Sequence, residues 1–294
     1  DEDLNGNGVF GEKKIRLEVR ADSADIDDAM ARSDTYKDNH ELDPTTPLQS
    51  KTYYYTGFGK GDEIADYSLN YRTDGASIRN TSYYFYEHFT DENGNEDLNG
   101  NGILREKNVR LEVRADSADI DGVMARSDTY KNDHIQDPST RLQSQTFYNT
   151  KFGKGDEIAD YSLNYKTNGS TVRNTSYYYY EHWTDSNNNG IVEAGEITQV
   201  RASSSDTDDA MARSDTYKDN HELDPTTKLQ SKTYYYTGFG KGDEIADYSL
   251  NYKTDGVTVR NVSIFFYGNG LKRASSADTE DALKMTETRC SLTV

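Results

Sequence analysis

The sequence predicts an all-β chain: tandem β-meander repeats stacked as a solenoid or as a continuous sheet array, with one short helix per repeat. Three observations carry this. The first is self-similarity, the signature of repeat architectures: ARSDTYKDNHELDP at Ala31 returns as ARSDTYKNDHIQDP at Ala125 and unchanged at Ala212. The second is period-two alternation of apolar and polar residues between turn signals, which marks half-buried strands. The third is composition. Of 294 residues only 33% are hydrophobic, yet 24 are tyrosine, and the mean hydropathy is -0.98. Interiors are therefore built from amphipathic rings rather than from a large aliphatic core.

The repeat has a constant body and variable joints. Arg20, Arg114, Arg201 and Arg273 recur at spacings of 94, 87 and 72 (114 − 20, 201 − 114, 273 − 201). From each Arg to the Tyr closing its copy the span is always 66 (86 − 20, 180 − 114, 267 − 201). The length variation thus lies in connectors, as surface segments tolerate. The organisation is 1–19 a partial connector and strand, 20–86 repeat 1, 87–113 a connector, 114–180 repeat 2, 181–200 a connector, 201–267 repeat 3, 268–272 a short connector and 273–294 a partial repeat 4. Beginning at Asp1 without an initiator Met or signal peptide, the chain reads as a processed chain or a fragment, and because both ends cut through repeats the expectation is a window onto a longer array.

Within one unit, Ile15–Arg20 and Val109–Arg114 alternate apolar with charged residues and read as strands. Ser23–Met30 follows, with a capping-type serine, acids in the first turn, and Ile26 and Met30 four apart; this predicts a two-turn helix. The Asn39–Leu48 stretch carries Pro44 and Pro47 and is a loop. Gln49–Thr56 and Ile64–Tyr71 form a hairpin across Gly57-Phe58-Gly59-Lys60-Gly61, whose glycines supply positive φ. Asp74-Gly75 turns the chain into a last strand, Ser77–Tyr86. A 66-step meander this poor in aliphatics is marginal alone, which favours stacking on its neighbours. Independent immunoglobulin-like beads, each needing about 100 residues, are the alternative.

Charge narrows the partners. Fifty-two acidic against 33 basic residues give a net charge of −19, opposed to nucleic acid and anionic membranes and suited to cations. No apolar run is long enough for a membrane span. The lone Cys290 excludes an intrachain disulfide and leaves the compartment open.

The chemistry sits in the connectors. Asp185-Ser186-Asn187-Asn188-Asn189-Gly190-Ile191-Val192-Glu193-Ala194-Gly195-Glu196 fits D-x-[DN]-x-[DN]-G-x5-E throughout. Hard Ca2+ takes six to eight oxygens, here offered by Asp185, Asn187, Asn189, the Ile191 carbonyl, Glu193 and a bidentate Glu196. The loop resembles EF-hand and dockerin-type calcium loops. Asp97, Asn99, Asn101 and Ile103 repeat its first half, as do Asp3, Asn5, Asn7 and Val9; the closing position holds Asn108 and Lys14 instead. Asp91–Asp97 is similar to the calcium-filled repeats of thrombospondin type 3.

Other signals weigh less. The Gly57–Gly61 segment lacks the following helix that a phosphate site needs, and reads as a hairpin turn. His40, His134 and His221 share one repeat position, and His88 and His182 another, which suits structural roles. No nucleophile or acid pair unique to one copy appears, so no enzyme is expected. Tyrosine clusters such as Tyr83-Tyr84-Phe85-Tyr86 suit cross-strand packing, with stacking on sugars as the alternative.

With Thr52–Gly57, Ile64–Tyr71 and Asp74-Gly75 through Tyr86 recurring, the chain resembles tyrosine-rich tandem repeats of giant bacterial surface proteins, and distantly YD (RHS-type) repeats. That resemblance implies an extracellular, non-enzymatic role. The expectation is a structural component of a fibre, stalk or surface layer, self-associating and rigidified by Ca2+. A calcium-dependent adhesin binding polysaccharide through exposed tyrosines and Trp183 is the alternative.

Overall fold

The computed structural model describes residues 20–37, 40–90, 109–187, 189, 193 and 195–290. Among them the chain forms one open antiparallel sheet of 15 strands. Repeat 1 contributes β1 (Arg32–Tyr36), β2 (Leu48–Tyr55), β3 (Ile64–Tyr71) and β4 (Ile78–Thr90), with β5 (Val109–Val113) from its connector. Repeat 2 contributes β6 (Met124–Lys131), β7 (Leu142–Asn149), β8 (Ile158–Tyr165) and β9 (Val172–Trp183), followed by β10 (Ile197–Arg201). Repeat 3 gives β11 (Met211–Lys218), β12 (Leu229–Tyr236), β13 (Ile245–Tyr252) and β14 (Val259–Tyr267), and the partial fourth copy gives β15 (Leu283–Cys290).

Each repeat is a four-stranded meander whose last strand pairs with the first strand of the next, β4 with β6, β9 with β11 and β14 with β15. The ladder therefore runs unbroken across every repeat boundary, which settles the sequence alternatives for a continuous sheet over separate beads. β5 and β10 pair only with the ends of β4 and β9.

The expected helix does not form. The chain makes a three-residue 3-10 turn that starts two residues earlier, at Ala21–Ser23, and likewise at Ala115–Ser117, Ala202–Ser204 and Ala274–Ser276. Asp28 explains the stop: its carboxylate accepts the Asp25 N–H at 2.7 Å, and aspartate side chains that bond local backbone compete with helical pairing. Ile26 is 83% exposed and Met30 49%, so they do not form a common buried face.

Side chains alternate between the faces. One face carries an aromatic row: Tyr53 stacks on Tyr67 at 4.6 Å, Phe147 on Tyr161 at 4.5 Å and Tyr234 on Tyr248 at 4.7 Å, while Tyr83 and Tyr177 meet Tyr130 and Tyr217 across the repeat boundaries. The other carries a hydroxyl ladder, with Thr52 bonded to Ser68, Ser82 to Thr129, Thr146 to Ser162 and Ser176 to Thr216. Tyr54, Tyr84, Tyr148 and Tyr178 lie along this ladder with their hydroxyls on Ser33, Ser68, Ser127 and Ser162. Burying hydroxyls in mutual pairs avoids the cost of leaving them unsatisfied. This is how so polar a sequence closes an interior.

The Gly57–Gly61 segment is the turn between β2 and β3. Its lysine serves the fold, since Lys60 Nζ donates to the Ile26 carbonyl, as Lys154 does to Ile120 and Lys241 to Thr207.

Candidate metal centre and the repeat junctions

The Asp185–Glu196 loop is the tip of the β9–β10 hairpin, closed by the Thr184 N–H on the Glu196 carbonyl at 3.0 Å and by the pairing of Trp183 with Ile197. Asp185 Oδ1 and Asn187 Oδ1 both accept the Asn189 N–H, at 3.1 and 3.0 Å, so two acidic-loop oxygens converge on one point. The amide groups of Asn187 and Asn189 each donate to Glu193, both at 3.2 Å. Glu196 is buried, 6% exposed, and its carboxylate accepts the Ser186 N–H at 2.9 Å. Five of the six predicted donors are thus gathered within one hairpin tip, and all are hard oxygens suited to Ca2+ rather than to zinc or copper. Ile191 lies outside the described residues, as do Asp97, Asn99, Asn101, Ile103, Asp3, Asn5, Asn7 and Val9.

A second cluster was not legible in the sequence. His182 Nδ1 lies 2.9 Å from Asp209 and 3.6 Å from Asp206. Its relatives define its role. In repeat 2 His88 meets Asp119 at 3.2 Å, but Gly122 replaces the second carboxylate; in the fourth copy Lys272 reaches Asp278 and Asp281 at 3.9 and 3.8 Å. The acidic turn after each of these 3-10 turns receives a nitrogen-bearing side chain, so the cluster is one instance of a contact that recurs between copies. The only available signal was the D-x-x-D spacing of Asp206 and Asp209.

His40, His134 and His221 bridge the Asp-Pro loop. Each ring nitrogen Nδ1 meets a threonine hydroxyl, at 2.8 Å on Thr46 and 2.6 Å on Thr140 and Thr227. The rings stack on Tyr36, Tyr130 and Tyr217. Burial lowers the pKa of His134.

The junctions between repeats follow one plan. Asp66, Asp160 and Asp247 are the extra residues of β-bulges, unmatched between the flanking register pairs; a bulge re-aims its side chain. Onto them come Arg114, Arg201 and Arg273 of the following copy, at 2.5, 2.7 and 2.7 Å. The guanidinium groups of Arg114 and Arg201 also lie 4.2 Å over the rings of Tyr83 and Tyr177. Beside each arginine, Ala115, Ala202 and Ala274 are 0% exposed, seated against Ile64 and Tyr86, Ile158 and Tyr180, and Tyr267 respectively.

No family model, no curated protein and no solved structure matches this chain.

Proposed function

We propose that the chain is a structural component of an extracellular fibre, stalk or surface layer, built from stacked β repeats and stiffened by Ca2+ at the connector loops. The observation that carries this is the identity of successive junctions: the same arginine, alanine and bulged aspartate join each unit to the next. Retaining one joint in every copy serves a propagating shape, whereas an enzyme needs a single site. Electron microscopy of the purified protein tests it; elongated particles are expected, and compact ones would count against it.

Calcium enters through the β9–β10 tip. Glu196 is a carboxylate held inside the hairpin with two N–H groups for company, and a divalent cation would offset two of the three negative charges it shares with Asp185 and Glu193. Saturating Ca2+ at about 100 times Kd stabilises a single-site protein by about 2.7 kcal/mol. Calorimetry with Ca2+ and with chelator should therefore separate two melting temperatures. Glu196→Gln should weaken binding by more than the about tenfold that even an outer-shell partner costs. Identical melting curves in both conditions would leave the tip as a polar turn.

The adhesin reading has one observation of its own. An open depression of about 390 Å³ at the first junction is lined by Tyr83, Phe85, Arg114, Tyr130 and His134, aromatic and cationic groups of the kind that stack on sugars. A glycan array with Tyr130→Ala as control tests it.

A further inference from the structure

The first copy presents the receiving half of a junction with nothing seated on it among the described residues. Ala21 is exposed, although its equivalents Ala115, Ala202 and Ala274 are completely buried. Arg20 is exposed and reaches Glu41 at 3.2 Å, whereas Arg114, Arg201 and Arg273 each hold a bulged aspartate of the unit before. Residues Arg32 to Tyr36 of β1 are identical to Arg126–Tyr130 of β6 and Arg213–Tyr217 of β11. The inner edge of β1 pairs with β2 in the register in which β6 pairs with β7, so its outer edge is the one that β6 and β11 give to β4 and β9. The stack of Tyr36 on His40 at 3.6 Å is already in place, so this surface is preorganised.

The opposite edge is built differently. β15 keeps Arg273 and Ala274 for its own docking, but Lys284 stands where Ala125 and Ala212 are buried at 1% and 3%. Glu287 and Arg289 replace the aspartate and tyrosine of β6 and β11 and pair with each other at 2.8 Å in solvent. Charged residues on an outermost strand discourage further pairing.

A second copy of this chain does not match what this surface is shaped to receive. Its β4, β9 and β14 edges are already paired, and β14 also has Val262 in place of Thr81 and Thr175, and Ile264 in place of Tyr83 and Tyr177. Those threonines clamp the following loop: Thr81 donates to the Asn132 carbonyl at 2.9 Å and accepts the His134 N–H at 3.0 Å, and Thr175 repeats this on Asp219 and His221. Those tyrosines are the rings beneath Arg114 and Arg201.

We infer that the outer edge of β1, with the 3-10 turn at Ala21, is a docking edge for a further repeat unit of the β8–β9 kind, and that β15 closes the other edge. The occupant is defined by its chemistry: a bulged aspartate for Arg20, an Ile and Tyr pair around Ala21, and a Thr-Ser-Tyr-Tyr strand against Arg32–Tyr36, in the register of the existing junctions. This rests on the reading of the chain as a stack of structural units, and it is independent of calcium.

The test uses the full chain and a synthetic hairpin of residues 158–180, with the hairpin of residues 245–267 as the natural variant carrying Val262 and Ile264. Hydrogen exchange at Arg32–Tyr36 should slow with the first, and the second should bind at least about tenfold more weakly. Ala21→Glu should abolish the protection and leave the melting temperature unchanged, because Ala21 is exposed. Since a free hairpin can self-associate, each is also joined ahead of Arg20 through the natural connector 181–200, replacing residues 1–19. There too the first hairpin should protect β1 and Ala21→Glu should reverse it. Unchanged β1 exchange in the fused chain, or equal protection by both hairpins, overturns the docking edge. A hairpin of residues 142–165 should leave Leu283–Cys290 exchange untouched; protection there overturns the closed edge. Failure of these arms alongside elongated particles by microscopy would refute the docking edge and leave the structural reading standing.

Discussion

Ala115, Ala202 and Ala274 leave no room at the joint for anything larger than a methyl group. Ala202→Leu forces extra methylenes against Ile158 and Tyr180, and overpacking of this kind costs about 1–3 kcal/mol. Ala21→Leu, at the exposed equivalent, should stay within about 0.5 kcal/mol of the parent. Urea midpoints of the two variants provide the comparison. Glycines divide in the same manner. Gly169 has φ +72° and a Cβ there would stand 3.1 Å from the Leu142 backbone nitrogen and 2.9 Å from Arg141 Cβ, while Gly153 has φ +91° with nothing near. Both need the left-handed region, which costs a side chain about 1–2 kcal/mol, but only Gly169→Ala adds a steric clash. It should destabilise more than Gly153→Ala in the same titration. The turn glycines were legible in the sequence, but the buried alanines were not, since an alanine among aspartates and serines carries no signal of burial.

At the scale of elements, hairpins and turns could be read in advance and the joints could not. Alternation in Ile64–Tyr71 and the Asp74-Gly75 turn are local properties, and they fixed β3, β4 and the link between them. The helix expected over Ser23–Met30 failed because an acid-rich segment satisfies its own backbone N–H groups, as Asp28 does for Asp25 and Asp209 for Asp206. The Asp185–Glu196 loop was legible as a motif, and the hairpin explains why its oxygens lie together: β9 and β10 fix both ends of the tip. What the motif could not indicate is that Glu196 would be buried, since that depends on Trp183 and Ser186 across the hairpin. The arginine–aspartate joints needed knowledge of which strand follows which in the sheet, a non-local fact that spacing does not contain.

For the molecule as a whole, the tyrosine interior sets an alkaline limit. Burial raises the phenol of Tyr161 to about 12 from 10.0, and raises Tyr86, Tyr180 and Tyr267, whose hydroxyls donate to the carbonyls of Ala65, Ala159 and Ala246. A folded pKa above the unfolded value means that this stability is fully present below pH 10.0 and is lost as pH rises through the folded values. At the acid end, hydrogen bonds from Ser77 and Thr258 with nearby backbone N–H groups hold Asp74 and Asp255 at about 2, below 3.8. Their contribution is present above pH 3.8 and lost as pH falls toward 2. Denaturant midpoints should fall on both sides of these limits, with an earlier decline below pH 6.5, where His134, kept neutral by burial, must take up a proton, and with tyrosinate absorbance rising together with unfolding on the alkaline side. Independent titration of the phenols in a folded chain would contradict this.

The ladder described above also fixes how the molecule would answer a pull. Its hydrogen bonds point from strand to strand, across a path of 13 strands from β1 to β15, so tension applied between these edges acts along the bonds rather than across them. Twelve gaps of about 4.8 Å make a relaxed length of roughly 58 Å. Under such tension the strands part in succession, as a zipper does, and each residue freed adds up to about 3.3–3.6 Å. Arg114, Arg201 and Arg273, anchored to the unit before, stand at the points where that opening would pause. A material made this way yields in steps and dissipates work at each one, instead of holding rigidly and then breaking.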